Sequence, residues 1–200
     1  AWIGVVPFRM SGVRPRWTPP VPWLSAFPEL NVRTYVTLDG KPGVYFFSLD
    51  AANPIAVWTA RLWFNLPYYT ARISCERSGD AIVYESERTH PRAAPAHLVA
   101  QYRSVGNELP FEPGSIADFF TSRYCLYVVD RHGRPRRREI DHVRWPLTPA
   151  EAEIEVNTMT QGIDLALPGT PPLLHVSERL EVVVWSEERL ASSNGDATSP

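Results

Sequence analysis

Hydrophobic and polar positions alternate with a period of two along most of the chain. That is the pattern of half-buried β-strands rather than amphipathic helices. Trp2 to Met10 is rich in Trp, Ile, Val and Phe and reads as a strand, with Pro7 marking an edge or a bulge. Glu29 to Leu38 alternates through Leu30, Val32, Thr34 and Val36, and Val44 to Leu49 resumes after the turn Asp39-Gly40-Lys41-Pro42-Gly43. Ala71 to Ser78 and Ala81 to Arg88 form a hairpin around Ser78-Gly79-Asp80, and His97 to Ser104 is a further strand. Tyr124 to Val129 and Arg137 to Val143 flank a turn at Asp130 to Pro135, and Leu173 to Val176 and Leu180 to Trp185 are the last strands.

Helical spacing is rarer. Asn53-Pro54 reads as an N-cap followed by proline at the first helical position, with Ile55, Trp58, Leu62 and Phe64 at helical intervals. This predicts a helix from Pro54 to about Asn65, ended by Leu66-Pro67. A short helix is expected at Ser115 to Thr121, capped by Ser115. Thr148-Pro149-Ala150-Glu151 matches a capping box opening another. Ser11 to Pro28 and His90 to Pro95 are broken by prolines. The aromatic residues Trp17, Trp23 and Phe27 make the first of these an ordered loop packed on the body rather than a linker. Many short strands with a few short helices predict a mainly β (β-rich α+β) fold, a closed or nearly closed barrel. A single domain is expected over 1–190, with a small, polar, disordered tail at 191–200.

Composition narrows the function more than the fold. A hydrophobic fraction of 44% in 200 residues can bury a sizeable core, and a formal net charge of -2 gives no electrostatic reason to expect nucleic acid or an acidic membrane as partner. No apolar run approaches the roughly 20 residues of a membrane span. With no signal peptide at Ala1 to Met10, a cytoplasmic location is expected. The chain opens directly on a strand without an initiator methionine, which predicts a start inside a domain. Cys75 and Cys125 lie in alternating apolar runs and are expected as two buried free thiols. A homo-oligomer is compatible with the sequence.

Catalytic motifs are scarce. The chain contains no GxSxG, P-loop, GxGxxG or HExxH. His90, His97, His132, His142 and His175 are scattered without ligand spacing, so no metal and no cofactor are expected. The basic run Arg131 to Arg138 sits at a hairpin turn followed by Glu139 and Asp141, and reads as a solvated turn rather than a phosphate patch. Three segments carry more. Glu29 opens a strand with Asn31 and Arg33 on its side of the pleat, Arg61 lies within the apolar helix, and Tyr68-Tyr69 follow Pro67 directly. These residues are consistent with a polar cluster inside an apolar barrel; surface charges and packing tyrosines give the same pattern.

The stretches Ala1-Trp-Ile-Gly-Val-Val-Pro-Phe-Arg-Met10, Glu29-Leu-Asn-Val-Arg-Thr-Tyr35, Gly43-Val-Tyr-Phe-Phe-Ser-Leu-Asp50, Ser122-Arg-Tyr-Cys-Leu-Tyr127 and Leu180-Glu-Val-Val-Val-Trp185 resemble the YqjF-like family, a group of uncharacterised bacterial proteins related to acetoacetate decarboxylase. The resemblance implies an acetoacetate decarboxylase-like barrel, and an N-terminal segment that this chain lacks. It matches Glu29 to an active-site glutamate, and Tyr68 and Tyr69 to the lysine pair whose first member forms the Schiff base. A phenol cannot form an imine, and Lys41, the sole lysine of these 200 residues, belongs to a turn.

Three functions are therefore expected to compete. One is binding of a small apolar or carbonyl-bearing molecule by Glu29, Asn31, Arg33, Arg61, Tyr68 and Tyr69. Another is altered chemistry with Tyr68 and Glu29 as acid and base. The last is a structural or interaction role with a filled barrel.

Overall fold

The computed structural model describes residues 1–12, 25–130, 132–167 and 169–189. Eleven strands build one connected sheet: β1 (Ile3–Met10), β2 (Phe27–Leu38), β3 (Lys41–Ala51), β4 (Tyr68–Ser78), β5 (Ala81–Arg88), β6 (His97–Ser104), β7 (Cys125–Val129), β8 (Pro135–His142), β9 (Thr148–Asn157), β10 (His175–Val176) and β11 (Val182–Arg189). Two short helices, α1 (Pro54–Phe64) and α2 (Ile116–Thr121), and a 3₁₀ turn at Gln161–Ile163 complete the elements. The mainly β expectation holds. Of the loop predicted over Ser11 to Pro28, residues 13–24 lie outside the described residues, as does the tail at 191–200, and Phe27 and Pro28 belong to β2 instead.

The sheet forks at β3. One edge of β3 pairs antiparallel with β2 along its length. The other is shared: Leu49 to Ala51 run parallel to β4, and Val44 and Tyr45 run parallel to β7. One arm continues β4-β5-β6-β9-β10 and the other β7-β8-β11. Among the described residues β1, β10 and β11 are each paired on one side only, so the sheet is open and the expected barrel closure is not formed.

Gly43 makes the fork possible. A β-carbon there would lie 2.5 Å from the Cys125 carbonyl oxygen and 2.6 Å from the Tyr127 ring, so β7 reaches β3 only because that carbon is missing. Tyr127 then locks the approach, its hydroxyl donating to the Lys41 carbonyl at 3.0 Å. Gly43→Ala is expected to destabilise the fold by about 2–3 kcal/mol, the cost of overpacking against backbone. Urea unfolding measures this, and a loss below about 0.5 kcal/mol would contradict the close β3–β7 contact.

Local chemistry explains most elements. Asp39 and Gly40 both adopt positive φ (52° and 73°), forming a two-residue hairpin turn that lets the ladder close at Leu38 and Lys41. The turn is thus tighter than the five-residue Asp39 to Gly43 expected, and β3 begins three residues earlier. Asn53 caps α1 as predicted, its Oδ1 accepting from the amides of Ile55 (3.0 Å) and Ala56 (3.1 Å). Ser115 caps α2, its hydroxyl accepting from the Asp118 amide. The apolar stripe of α1 does not face the core, however. Ile55, Trp58 and Leu62 are exposed, and Val57 packs with Phe27 and Ala51 instead. Cys75 and Cys125 are free, the first half-buried and the second buried.

One element is the wrong type. Thr148 to Glu151 opens strand β9, not a helix. The four-residue capping match is outweighed by the alternation of Ala152, Ile154 and Val156 with Glu151, Glu153 and Glu155. That alternation suits pairing with β6 from Ser104–Ala150 to Leu98–Asn157.

The core sits on both faces of β2 and β3. Leu30 and Val32 pack on one face with Tyr84, Leu98 and Met159. Phe27 and Ala51 pack on the other with α1 and Tyr68. This two-sided burial positions the polar groups described next.

Candidate functional site

Residues opposite one another in a ladder share a face. Glu29 pairs with Ala51, and Leu49 with Tyr68, which places Glu29 and Tyr68 on one face. Leu30 pairs with Asp50, and Asp50 with Tyr69, which places Tyr69 on the other. Consecutive tyrosines thus serve opposite sides of the sheet, because β4 begins at Tyr68 rather than at Ala71 as predicted.

On the first face, the Tyr68 hydroxyl donates to Glu29 Oε2 at 2.9 Å. Glu29 is 2% exposed, and its neighbours Phe27, Ala51 and Val57 are apolar and buried. Its main-chain carbonyl is held by the Tyr84 hydroxyl at 2.8 Å. Burial pushes the Glu29 carboxyl up to about 8, the hydrogen bond from Tyr68 offsetting part of the rise. Burial likewise drives Tyr68 well above the ordinary phenol value, with Glu29 adding to it. At neutral pH the pair is therefore uncharged. Asn31 lies two residues along the same face, and its Oδ1 is buried without a hydrogen-bond partner among the described residues. Arg33 follows, half-buried, with its guanidinium 5.6 Å from the Tyr35 ring and 5.9 Å from the Trp145 ring.

On the opposite face, Asp50 is fully buried and grips Arg88 with both oxygens, Nε to Oδ1 at 2.6 Å and Nη2 to Oδ2 at 2.7 Å. Burial raises the Asp50 carboxyl above its ordinary value, and the Arg88 hydrogen bonds offset only part of the rise. The Arg88 guanidinium lies 4.2 Å from the Tyr69 ring centre, and His90 meets the same ring edge-on at 5.4 Å. Arg61 reaches across from α1, donating to the Tyr68 carbonyl at 2.7 Å and lying 5.7 Å from the Tyr69 ring. These residues border a cavity of about 300 Å³, which Glu29 and Tyr68 do not line.

The six residues singled out from sequence thus divide. Glu29, Asn31, Arg33 and Tyr68 share one face, while Arg61 and Tyr69 belong to the other with Asp50, Arg88 and His90. Sequence reading missed those last three. Asp50 and Arg88 end strands 38 positions apart, and only their pairing reveals them. A carboxylate closing the apolar run Val44 to Leu49 was the available signal.

The basic run is also more structured than a solvated turn. Asp130 Oδ2 accepts from Arg136 Nε (3.0 Å) and Nη2 (2.7 Å), and its Oδ1 accepts from the amides of His132 (2.8 Å) and Arg134 (3.0 Å). Chiefly through the Arg136 hydrogen bonds, the Asp130 carboxyl falls far below the usual carboxylate range. Arg137 and Arg138, both buried, pair with Glu188 at 2.5 Å and Glu187 at 3.0 Å on β11. Their charge ties two strands together. No described helix is long and apolar enough to cross a membrane.

Comparison with known proteins agrees with this architecture. The protein YqjF of Bacillus subtilis (strain 168), described as uncharacterized, is 44% identical over 185 residues, covering 92% of this chain and 75% of that one. A solved structure titled "Structural Studies of Acetoacetate Decarboxylase" superposes with a TM-score of 0.55 at 13% identity, over 83% of this chain and 69% of the other. The acetoacetate decarboxylase of Legionella pneumophila gives 0.45 at 9% identity, over 80% and 62%. At 13% identity the first of these likenesses is one of fold. Residues 1–181 match the family described as DUF2071, uncharacterized conserved protein, and the chain belongs to that family.

Proposed function

We propose that the protein binds a small carbonyl-bearing molecule, without covalent chemistry, at the Glu29–Tyr68 pair. The observation that supports this reading is the buried, hydrogen-bonded acid itself. A carboxyl pushed up to about 8 destabilises the folded state at neutral pH, and the fold gains no ion pair in return. The same group has a use in binding. With the Tyr68 hydroxyl directed at Oε2, the protonated Glu29 retains one O–H to donate, and Asn31 Oδ1 is an acceptor in need of a donor. A neutral ligand carrying a carbonyl and a nearby donor satisfies both without bringing charge into an apolar place.

Schiff-base decarboxylation is not part of this proposal. Tyr68 stands where the resemblance puts the imine-forming lysine. Lys41, the only lysine of these 200 residues, ion-pairs with Glu139 at 2.7 Å on an exposed hairpin.

The test is isothermal titration with hydroxyacetone and α-hydroxyacetophenone, each a neutral ketone with a hydroxyl beside its carbonyl, against the protein and its Tyr68→Phe variant. Saturable binding, weakened about five- to tenfold by the loss of the hydroxyl, is the expected result. If neither compound binds, the reading is lost and a structural role takes its place. A second reading is favoured by the position of the Glu29 carboxyl near physiological pH, which suits a general base paired with a phenol. It requires exchange of α-protons of a bound ketone into deuterium oxide, abolished in Glu29→Gln with binding retained. Binding without exchange excludes it.

A further inference from the structure

The cavity of about 300 Å³ on the Tyr69 face has a different chemistry from the Glu29–Tyr68 pair. It is within the range of small-molecule sites, roughly 300–1,000 Å³. Three arginines line it. Arg88 is committed to Asp50. Arg61 and Arg92 have no carboxylate within 4.0 Å among the described residues. Arg92 also holds a left-handed backbone (φ 62°), which a side chain of its kind rarely adopts. The Asp50–Arg88 pair is internally neutral, so the lining carries an excess of positive charge.

His90 adds a donor. Its Nδ1 accepts the Thr70 amide at 3.2 Å, which puts the ring proton of the neutral form on Nε2, where no described residue receives it. Burial, reinforced by Arg61 and Arg88, lowers the His90 proton affinity and favours that neutral form; Asp50 is the one opposing charge. Part of the wall is apolar: Phe47, Met159 and Ile163 line the space beside these polar groups and Ser48. The Tyr69 ring is in contact with both Arg88 and His90. Gly162 brings the 3₁₀ turn against this wall, since a β-carbon there would lie 3.1 Å from the Ala94 side chain.

We infer that this cavity is a binding site for a small organic carboxylate, its anionic group held by Arg61 and His90 and its apolar body resting on Phe47, Met159 and Ile163. The Arg61 guanidinium, without a carboxylate partner among the described residues, has its Nη1 held by the Tyr68 carbonyl. It keeps further N–H groups that form charge-assisted bonds to a carboxylate beside the ring N–H of His90. The apolar wall gives an organic acid a contact that inorganic phosphate cannot use. The site is independent of the reading proposed for Glu29 and Tyr68, because it lies on the other face of the sheet.

Titration of the isotopically labelled protein with acetate, butyrate and benzoate, followed by NMR, tests the inference. Neutral benzamide and inorganic phosphate serve as controls. Saturable shifts confined to Arg61, Tyr69, His90 and their neighbours are expected, with benzoate binding more tightly than acetate. Arg61→Gln should weaken benzoate at least about tenfold, as expected for one charge-assisted contact, and Arg61→Lys should restore part of it. Arg61 is exposed, so both variants are expected to fold. Tyr68→Phe should leave benzoate binding unchanged, which separates this site from the one on the opposite face. Benzamide shifting Arg61, Tyr69 and His90 as tightly as benzoate does, phosphate saturating the site in preference to every carboxylate, or no carboxylate saturating below about 10 mM would each overturn the assignment.

Discussion

Arg88→Met is expected to destabilise the protein by about 3–5 kcal/mol at neutral pH, the cost of leaving a buried charge without its partner. Asp50 has no exposed surface, and Arg88 supplies both of its ionic hydrogen bonds. Methionine keeps an unbranched apolar stem in place of the arginine stem, so the loss reports the ion pair more than the packing of that stem. Two further anchors go with it: the guanidinium over the Tyr69 ring at 4.2 Å, and the bond from Nη1 to the Ala94 carbonyl at 3.3 Å. The stranded Asp50 will take up a proton rather than remain charged, so the deficit should shrink as the pH is lowered. Replacing both partners, Arg88→Met with Asp50→Leu, should recover most of the loss, because neither group is then left unpaired. Urea unfolding of the parent and these two variants measures the differences. A single-variant loss below about 1 kcal/mol would show that water reaches Asp50 and that the pair is not buried.

Glu29→Gln should act in the opposite direction, with a gain that grows as the pH rises from about 4.5 to about 8. Glu29 titrates near 4.5 when exposed and at about 8 in the folded protein. Between those values the folded state holds a proton that the unfolded state has released, so stability falls as the pH rises through this window. At 1.36 kcal/mol per pH unit the span amounts to roughly 4–5 kcal/mol. Glutamine keeps an oxygen to accept the Tyr68 hydroxyl and has no proton to lose. The variant should therefore match the parent near pH 4.5 and exceed it by several kcal/mol above pH 8. Only the difference between the two curves is diagnostic. Asp130, held low by Arg136, contributes stability that is present above the ordinary carboxylate range and lost in acid in both proteins. A difference that stays flat from pH 4 to 9 would mean that Glu29 is solvated and would remove the support for its proposed role.

How much of this was legible in the chain depended on the distance over which each feature is decided. The α1 start at Asn53-Pro54 and the hairpin around Gly79-Asp80 depend on neighbours a few residues away and formed where expected, while the first hairpin formed at Asp39-Gly40 with a turn of two residues instead of five. The capping match at Thr148 was equally local, yet β6 supplied a partner strand and the period-two pattern prevailed. The Tyr68-Tyr69 pair failed as a single cluster for a related reason. Parallel pairing of Leu49 with Tyr68 extends β4 back to the end of the helix connection, and the pleat then sends the two side chains to opposite faces.

Alternation, turn chemistry and caps determined that this chain would be a β-rich protein, and the family resemblance selected Glu29 and Tyr68 as partners worth testing. Those signals are short-ranged, and each is written in a handful of adjacent residues. Tertiary structure alone decided that the sheet would fork at Gly43 and remain open, that Asp50 would find Arg88, and that a cationic cavity would form behind Tyr69. Each of these arises from the approach of segments distant in sequence. Their energies come from desolvation and close packing, which exist only after the segments have met.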